Sequence, residues 1–433
     1  MPEPRPRCAI ASRRRAWRSA PAGAASRPTA GAVPTSTIEL SGHIIDSMML
    51  PRIFDVIMDI GGSFHVEEFR VGQSKDEPSY TRIALSHDDE GRLAEIVAAC
   101  QQQGAVLVAS AAATTEPAPA DGIFPDAFYS TSNQPTSVLL GDRWVEVEDI
   151  EMDCAIIVGD SRARCVAVTE VRAGEAVVVG HQGIKIAPVE RARSMDVFGF
   201  MTSTVSAEKP KHLVIRELAD AMRQIHRRGG RICMVAGPAI IHTGAGVHLS
   251  RLIAGGHIDV LLAGNALAAH DVEAQFFGTS LGINLESGLP IDAGHAHHIR
   301  AINRIRAAGG LRRAVQSGQL RAGVMYECVR HDVEVVLAGS VRDDGPIPEV
   351  ITDMIEAQRQ MRRALHGVEL CIMCATMLHA IATGNLLPAV VKTVCVDINP
   401  AVVTKLADRG SSQTLGLVTD VESFLRELAE CLA

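Results

Sequence analysis

The chain has 433 residues, a formal net charge of −8 and 47 % hydrophobic residues, enough for two or three domains that each bury a core. Mild acidity excludes nucleic acid as the main partner, because phosphate binding needs a basic face, and no apolar run reaches the roughly 18–20 residues of a membrane span. Aromatic residues make up only 3 %, while small aliphatic residues and Gly are plentiful, which suits strands buried on both faces of a parallel sheet.

Residues 1–36 stand apart. Arg5, Arg7, Arg13, Arg14, Arg15, Arg18 and Arg27 lie among Ala, Ser and Pro, with Glu3 as the sole acid. The stretch reads as a disordered Arg-rich extension, or as translation begun upstream; an organellar transit peptide is the alternative. From Thr37 the pattern becomes regular. Alternation over 37–44, 64–71, 80–86 and 105–108 predicts strands, and spacing over 48–60 and 88–100 predicts helices, the first closed by Gly61-Gly62 and the second by Gly104. The order β-α-β-β-α-β is that of a ferredoxin-like α+β unit, placed at 37–120 and closed by a Thr-, Pro- and Ala-rich loop. Short Val-rich strands punctuated by Gly141, Gly159, Gly174, Gly180 and Gly183 make 121–206 a β-rich module.

The remainder, 207–433, alternates helix and strand. Strands are predicted over 232–236, 258–263, 333–338, 370–375, 393–397 and 415–419, with helices between them such as 350–365 and 400–406 and a last one over 422–432. Such alternation implies right-handed βαβ units and a doubly wound parallel sheet, the Rossmann-like α/β class. Ligands of these sheets bind at the carboxyl ends of the strands. The segments that follow the predicted strands are rich in Gly, Asn, Asp and Thr: Gly237-Pro, Gly264-Asn-Ala, Gly339-Ser-Val-Arg-Asp-Asp, Thr376-Met-Leu-His, Asp397-Ile-Asn and Asp420.

In the unit 370–397, Thr376 is placed to cap a short helix that Gly384 closes, so the N–H groups of Met377, Leu378 and His379 face a pyrophosphate. Asp397, about twenty residues on, suits the adenosine ribose hydroxyls of NAD and repels a 2′-phosphate. The GxGxxG fingerprint is absent, and the competing reading makes Thr376 a plain cap and Asp397 a solvated strand end. Ten cysteines scattered through apolar segments read as free thiols of a reducing cytoplasm. Cys371 and Cys374 have CxxC spacing, but within a strand they point to opposite faces, which favours core thiols over a redox or zinc role. His295-Ala-His297-His298, with His242 and His248 earlier, defines no fourth ligand, so no metal is expected and the histidines are read as solvated or substrate-facing.

The run Asn399-Pro-Ala-Val-Val-Thr-Lys-Leu-Ala-Asp-Arg-Gly, with Gly416-Leu-Val-Thr-Asp behind it, resembles the lysine-oxoglutarate reductase/saccharopine dehydrogenase bifunctional-region family, which includes archaeal-type, NAD-dependent ornithine cyclodeaminases. Glu39-Leu-Ser-Gly-His-Ile-Ile-Asp, Ala236-Gly-Pro-Ala-Ile-Ile-His-Thr-Gly-Ala and Leu262-Ala-Gly-Asn-Ala-Leu-Ala-Ala-His-Asp-Val-Glu carry the same resemblance. It implies conversion of L-ornithine to L-proline and ammonia: Cα hydride goes to NAD, the side-chain amine closes on the imine, ammonia leaves and the hydride returns. It also implies NAD contacts at Asn265, Ala266, Asp344, Thr376, Met377, Leu378, His379, Asp397, Asp420 and Val421. Some relatives carry an arginine-hydrolysing module ahead of this region, so arginine itself is not the expected substrate here. Asp292, Glu286 and His295, in a polar Gly-rich stretch, are the candidates for proton transfer, although the two acids could equally be surface loop residues. A homo-oligomer is expected. A dehydrogenase with net NAD turnover, and an NAD- and amino-acid-sensing protein, are the rival functions.

Overall fold

The computed structural model describes residues 33–45, 48–73, 77–108, 111–187, 211–285, 288–289, 291, 294–343, 345–408 and 414–433. Most of the Arg-rich extension lies outside them.

The first unit runs β1 (Thr35–Gly42), α1 (Met49–Asp59), β2 (Ser63–Arg70), β3 (Ser79–Ser86), α2 (Glu90–Gln102) and β4 (Val106–Leu107). Its sheet has the order β2-β3-β1-β4 with every neighbour antiparallel, the ferredoxin-like arrangement. Alternation explains the packing: Ile38, Leu40, Ile83 and Leu85 turn to one face and meet Ile53 and Ile57 of α1 and Leu93 and Ile96 of α2.

The second unit is a sheet of β5 (Thr114–Pro117), β6 (Thr136–Leu140), β7 (Arg143–Glu148), β8 (Ala155–Gly159), β9 (Arg162–Val166), β10 (Ala176–Val179) and β11 (Ile184–Ile186). The order is β11-β6-β7-β9-β8-β10-β5. Here the division expected at residue 120 meets a correction. β5 pairs along its whole length with β10, so the Thr- and Pro-rich stretch read as a closing loop is already an edge strand of the second sheet. Its side chains are exposed, which removed the alternation that would have marked it.

The third unit begins with α3 (Lys211–Arg227) and β12 (Arg231–Ala236), then α4 (Ala239–His242), α5 (Gly246–Ala254), β13 (Val260–Gly264) and α6 (Asn265–Phe277). A small hairpin, β14 (Thr279–Ser280) and β15 (Ile283–Asn284), precedes α7 (His297–Ala308), α8 (Leu311–Gln316) and α9 (Val324–Arg330). There follow β16 (Glu334–Ala338), β17 (Val350–Ile351), α10 (Met354–Leu365), β18 (Val368–Cys374), α11 (Leu378–Leu386), β19 (Lys392–Asp397), α12 (Pro400–Asp408), β20 (Thr414–Val418) and α13 (Val421–Leu432). The sheet is parallel throughout, in the order β17-β16-β13-β12-β18-β19-β20. Helices cover both faces, so successive residues of one strand enter different cores: Ile232 and Met234 one, Cys233 and Val235 the other. Cys374 and Cys371 divide in the same way, and burial raises the pKa of both thiols.

Two local expectations fail. The helix expected over 350–365 starts at Met354, because Asp353 accepts hydrogen bonds from the N–H groups of Ile355 (2.9 Å) and Glu356 (3.1 Å), while Val350 and Ile351 pair with β16. Gly384 lies inside α11 rather than closing it.

The units are fastened to one another. Arg362 Nε of α10 reaches both carboxylate oxygens of the buried Glu151 at 2.8 Å, and Ala389 N donates to Asn133 O at 2.7 Å. Gln101 Nε2 joins the first unit to the second through the carbonyls of His181 (3.1 Å) and Ile184 (3.2 Å).

Candidate active site

The order of the parallel sheet reverses between β12 and β18, and the crevice outside their carboxyl ends is the natural ligand site of such a fold. There the turns after the two strands touch. Gly237 N donates to Cys374 O at 2.9 Å, and a Cβ on Gly237 would lie 1.8 Å from the carbonyl oxygen of Ala375. Only Gly fits. Ala375 itself has φ 53°, a left-handed conformation that a residue with a Cβ adopts at some cost.

From that turn the chain enters α11. Its first N–H groups have no acceptor within the helix, a ready site for a pyrophosphate. Thr376 does not cap it: the capping position is Met377, in right-handed helical conformation and without a side-chain cap bond. Met377 and Leu378 are large, apolar and exposed, Leu378 by 75 %. His379 hydrogen-bonds the carbonyl of Ala338 at the end of β16, passing over Gly264, where a Cβ would stand 3.0 Å from its ring; burial lowers its pKa. The imidazole thereby ties α11 to the ends of β13 and β16.

Asn265 opens α6 and is buried, its Oδ1 accepting from Ile347 N at 3.2 Å. Ala266 is half-buried beside it, whereas Asp344 lies outside the described residues. Asp397 ends β19, half-buried, with Oδ1 accepting from Asn399 N at 2.8 Å. Asp420 caps α13 by accepting from Ser423 N at 3.0 Å, and Val421 is buried behind it. Asn265, Thr376, Asp397 and Asp420 thus line one edge over five adjacent strand ends, about 19 Å at ~4.8 Å per strand. A Gly turn without room for a Cβ, a helix start and an acid at the end of the next strand suit a dinucleotide such as NAD.

Beyond Asn265, on the side of α6 that faces α4 and the hairpin, lies a buried polar constellation of which the sequence singled out only His242 and His297. Glu273 is 0 % exposed and takes hydrogen bonds from His270 Nδ1 (2.8 Å), Thr279 Oγ1 (2.9 Å), Gly282 N (3.2 Å) and Leu281 N (3.3 Å). Burial alone would raise its pKa, but these donors prevail and hold it below the ordinary Glu value. Thr279 also meets His297 Nδ1 at 2.9 Å, and the His297 ring stacks on Phe277. His242, at the end of α4, meets Ser280 Oγ at 2.6 Å and lies edge-on to His270 with ring centroids 4.7 Å apart. Desolvation, with the neighbouring His270 adding to it, lowers the His242 pKa to about 4, so its ring is neutral at pH 7.

Among the described residues no group of three or more His, Cys, Asp or Glu could hold a metal ion. Of the proton-transfer candidates, Glu286 and Asp292 lie outside the described residues. His295 falls in the short 3-10 turn Gly294–Ala296, and its side chain is outside the described set. The missed pair, His270 and Glu273, carried a readable signal: one helical turn apart, with Asp271 between them, after an apolar Ala-Leu-Ala-Ala run that follows a strand-end Asn.

Three family models cover the chain: the LOR/SDH bifunctional enzyme conserved region over 35–134, the arginine dihydrolase ArgZ-like C-terminal first region over 135–215, and the ArgZ-like C-terminal Rossmann fold over 216–428. An ornithine cyclodeaminase of Methanopyrus kandleri is 55 % identical over 91 % of this chain and 96 % of its own. The apo crystal structure of ArgZ, a cyanobacterial arginine dihydrolase of the ornithine-ammonia cycle, superposes with a TM-score of 0.82 at 37 % identity, covering 92 % of this chain and 58 % of that one. A ternary complex of AgrE with ornithine and NAD+ matches at 41 % identity and a TM-score of 0.51, over 92 % of this chain and 57 % of that one.

Proposed function

This chain belongs to the ornithine cyclodeaminase family with an LOR/SDH conserved region and an ArgZ-like C-terminal region, and from that membership we propose how its residues divide the work. It is an NAD-dependent enzyme that converts L-ornithine to L-proline and ammonia. The observation that carries the assignment is that α6 begins at the strand-end edge with Asn265 and one turn further on bears the buried, hydrogen-bonded His270 and Glu273.

NAD, when bound, takes up the Cα hydride of ornithine and gives it back after ring closure. The chain's own residues do the rest. We place the adenosine ribose at Asp397, the pyrophosphate at the N–H groups that begin α11, and the nicotinamide end toward Asn265 and Asp344, with Asp420 and Val421 completing the adenosine side. Ornithine then lies between Asn265 and the constellation of α4, α6 and the hairpin, where neutral His242 can accept a hydrogen bond from an ammonium group. Asp292, Glu286 and His295 remain proton-transfer candidates, because their segment joins β15 to α7 and both flank that constellation.

Among the described residues no helix is long and apolar enough to cross a membrane. A cytoplasmic location accords with the free cysteines, and a homo-oligomer with the exposed Leu281, Ile283, Leu285 and Leu289 around the hairpin.

The test is to incubate the protein with catalytic NAD and ornithine deuterated at Cα, and to assay proline, ammonia and NADH together. Proline that retains the label at Cα, one ammonia per ornithine and no accumulating NADH is the expected result. One NADH per ornithine would make the protein a dehydrogenase, and no turnover at all would leave a sensor.

A further inference from the structure

We infer that His270 is the group that takes a proton from the α-ammonium of ornithine and returns it to the departing amine, with Glu273 as the residue that positions its ring. The inference rests on the ornithine reading above and names a catalytic residue within it.

The hydrogen-bond arithmetic points to this role. Glu273 lies wholly out of solvent, and each of its four contacts comes from a group able to donate. An ionised carboxylate only accepts, so His270 Nδ1 must carry the hydrogen of the 2.8 Å contact. That fixes the tautomer of the neutral ring and leaves Nε2 with its lone pair, the state a general base needs. A ring held by a carboxylate in this way has its orientation set before substrate arrives.

Position supports the same role. His270 is five residues along α6 from Asn265, about 7.5 Å at ~1.5 Å per residue, so it stands behind the nicotinamide end of the edge. Its side chain keeps 10 % of its surface open, while that of Glu273 keeps none. The titratable groups around it are Glu273 on its own helix, His242 from α4 with centroids 4.7 Å away, and His298 from α7 at 6.4 Å. His242, neutral at pH 7, adds no positive charge there. A purely structural role does not account for the pair, since apolar residues would fill a helix–hairpin contact without the cost of a buried ion. Asp271, between them in sequence, already does the structural work by accepting from the N–H groups of Val324 (2.9 Å) and Met325 (2.8 Å) at the start of α9.

The protons balance. Ornithine enters with two ammonium groups and one carboxylate. Removal of one α-ammonium proton to His270 Nε2 frees the amine lone pair, and the Cα–H bond then breaks toward NAD. The δ-amine, after loss of a proton to solvent, forms the new C–N bond, and the ring nitrogen then gives a second proton to solvent, which frees its lone pair. His270 gives its proton to the α-nitrogen as that lone pair expels it and the old C–N bond breaks, and the hydride returns to Cα. The two solvent protons return to ammonia and to the ring nitrogen, so one ornithine cation yields neutral proline and one ammonium ion.

Wild type, His270→Gln, Glu273→Gln and Glu273→Asp are compared by NAD titration, by kcat and KM for L-ornithine, and by the pH profile of kcat/KM. His270→Gln should bind NAD within about threefold of wild type yet lose about 10²–10⁴-fold in kcat. Glu273→Gln should lose less and move the acidic limb to lower pH, because the imidazolium loses its carboxylate; Glu273→Asp should recover part of both. A kcat for His270→Gln within tenfold of wild type, or an unmoved acidic limb in NAD-competent Glu273→Gln, overturns the assignment. Should the variants not bind NAD, ring-nitrogen NMR of histidine-labelled wild type decides: Nδ1–H with bare Nε2 for His270 supports it, and Nε2–H overturns it. A wild type inactive on ornithine sinks the parent reading instead, before any variant is compared.

Discussion

The β18–β19 half of the sheet edge presents backbone N–H groups, the carboxylate of Asp397 and exposed Leu378 and Ile398. Across α6 and the hairpin stand imidazoles, hydroxyls and a carboxylate that are buried and bonded to one another. The first half takes its shape from the path of the chain, through Gly237 and the strained Ala375. The second takes its shape from side chains that orient each other. A nucleotide of fixed form can be held by the former, whereas proton transfer needs the latter, because a mobile imidazole loses the geometry on which its rate depends.

The harshest way to break the nucleotide half is Gly237→Ala. Its Cβ would lie 1.8 Å from a backbone oxygen that no side-chain rotation can move, so the two turns must separate. We expect a cost of about 3 kcal/mol or more, at the upper end of overpacking effects, seen as a fall in Tm and loss of NAD binding. Unchanged thermal unfolding with unchanged NAD affinity would show that the turns are not in contact.

Asp397→Ala is a milder cut in the same half. Loss of charged hydrogen bonds should weaken NAD by about 1–3 kcal/mol, roughly 5- to 150-fold, and narrow the preference over NADP. Because this residue is not in the core, the Tm should barely move. Titration with both dinucleotides checks it, and equal wild-type affinities would remove Asp397 from the ribose.

The last test sharpens the comparison inside α6, where burial pushes up two acids two residues apart and their hydrogen-bond donors decide the net direction. Asp271 has only two backbone donors and is driven up to about 6. Since it binds its proton more tightly when folded, its contribution is full below about pH 4 and is lost as pH rises through about 6, on the order of 3 kcal/mol. Glu273, held down by four donors, contributes above the ordinary Glu range, and that stability is lost as pH falls through its lowered value. Denaturant titrations carried from below the ordinary Glu range up to pH 7 should therefore show Asp271→Asn flattening a decline with pH, and Glu273→Gln removing a rise at the acid end. Parallel curves for the two variants would contradict the assignment of opposite shifts.

Strong periodicity made the parallel sheet legible, including strand ends such as Ala236 and Asp397, because doubly buried strands are continuous apolar runs stopped by Gly or polar residues. The edge strands β5 and β17 escaped for the opposite reason, one exposed throughout and the other two residues long. Local cap chemistry misled at Thr376, where contact between the β12 and β18 turns, rather than a hydroxyl, sets the entry to α11. Glu273 and His270 were in plain view in a quoted motif, yet their spacing alone does not distinguish a surface pair from a buried one.

What the sequence determined by itself was whatever depends on neighbours along the chain: the period of each element, the strand ends, and the acid at the close of β19. The tertiary structure alone decided which polar groups share a dry space. His242 comes from α4, His270 and Glu273 from α6, Ser280 from the hairpin and His297 from α7. Their proximity follows from how those elements pack over the sheet. Once water is excluded, each polar group must find its partner among the others, so position in the fold, rather than residue type, sets which carboxylate holds a charge and which histidine stays neutral.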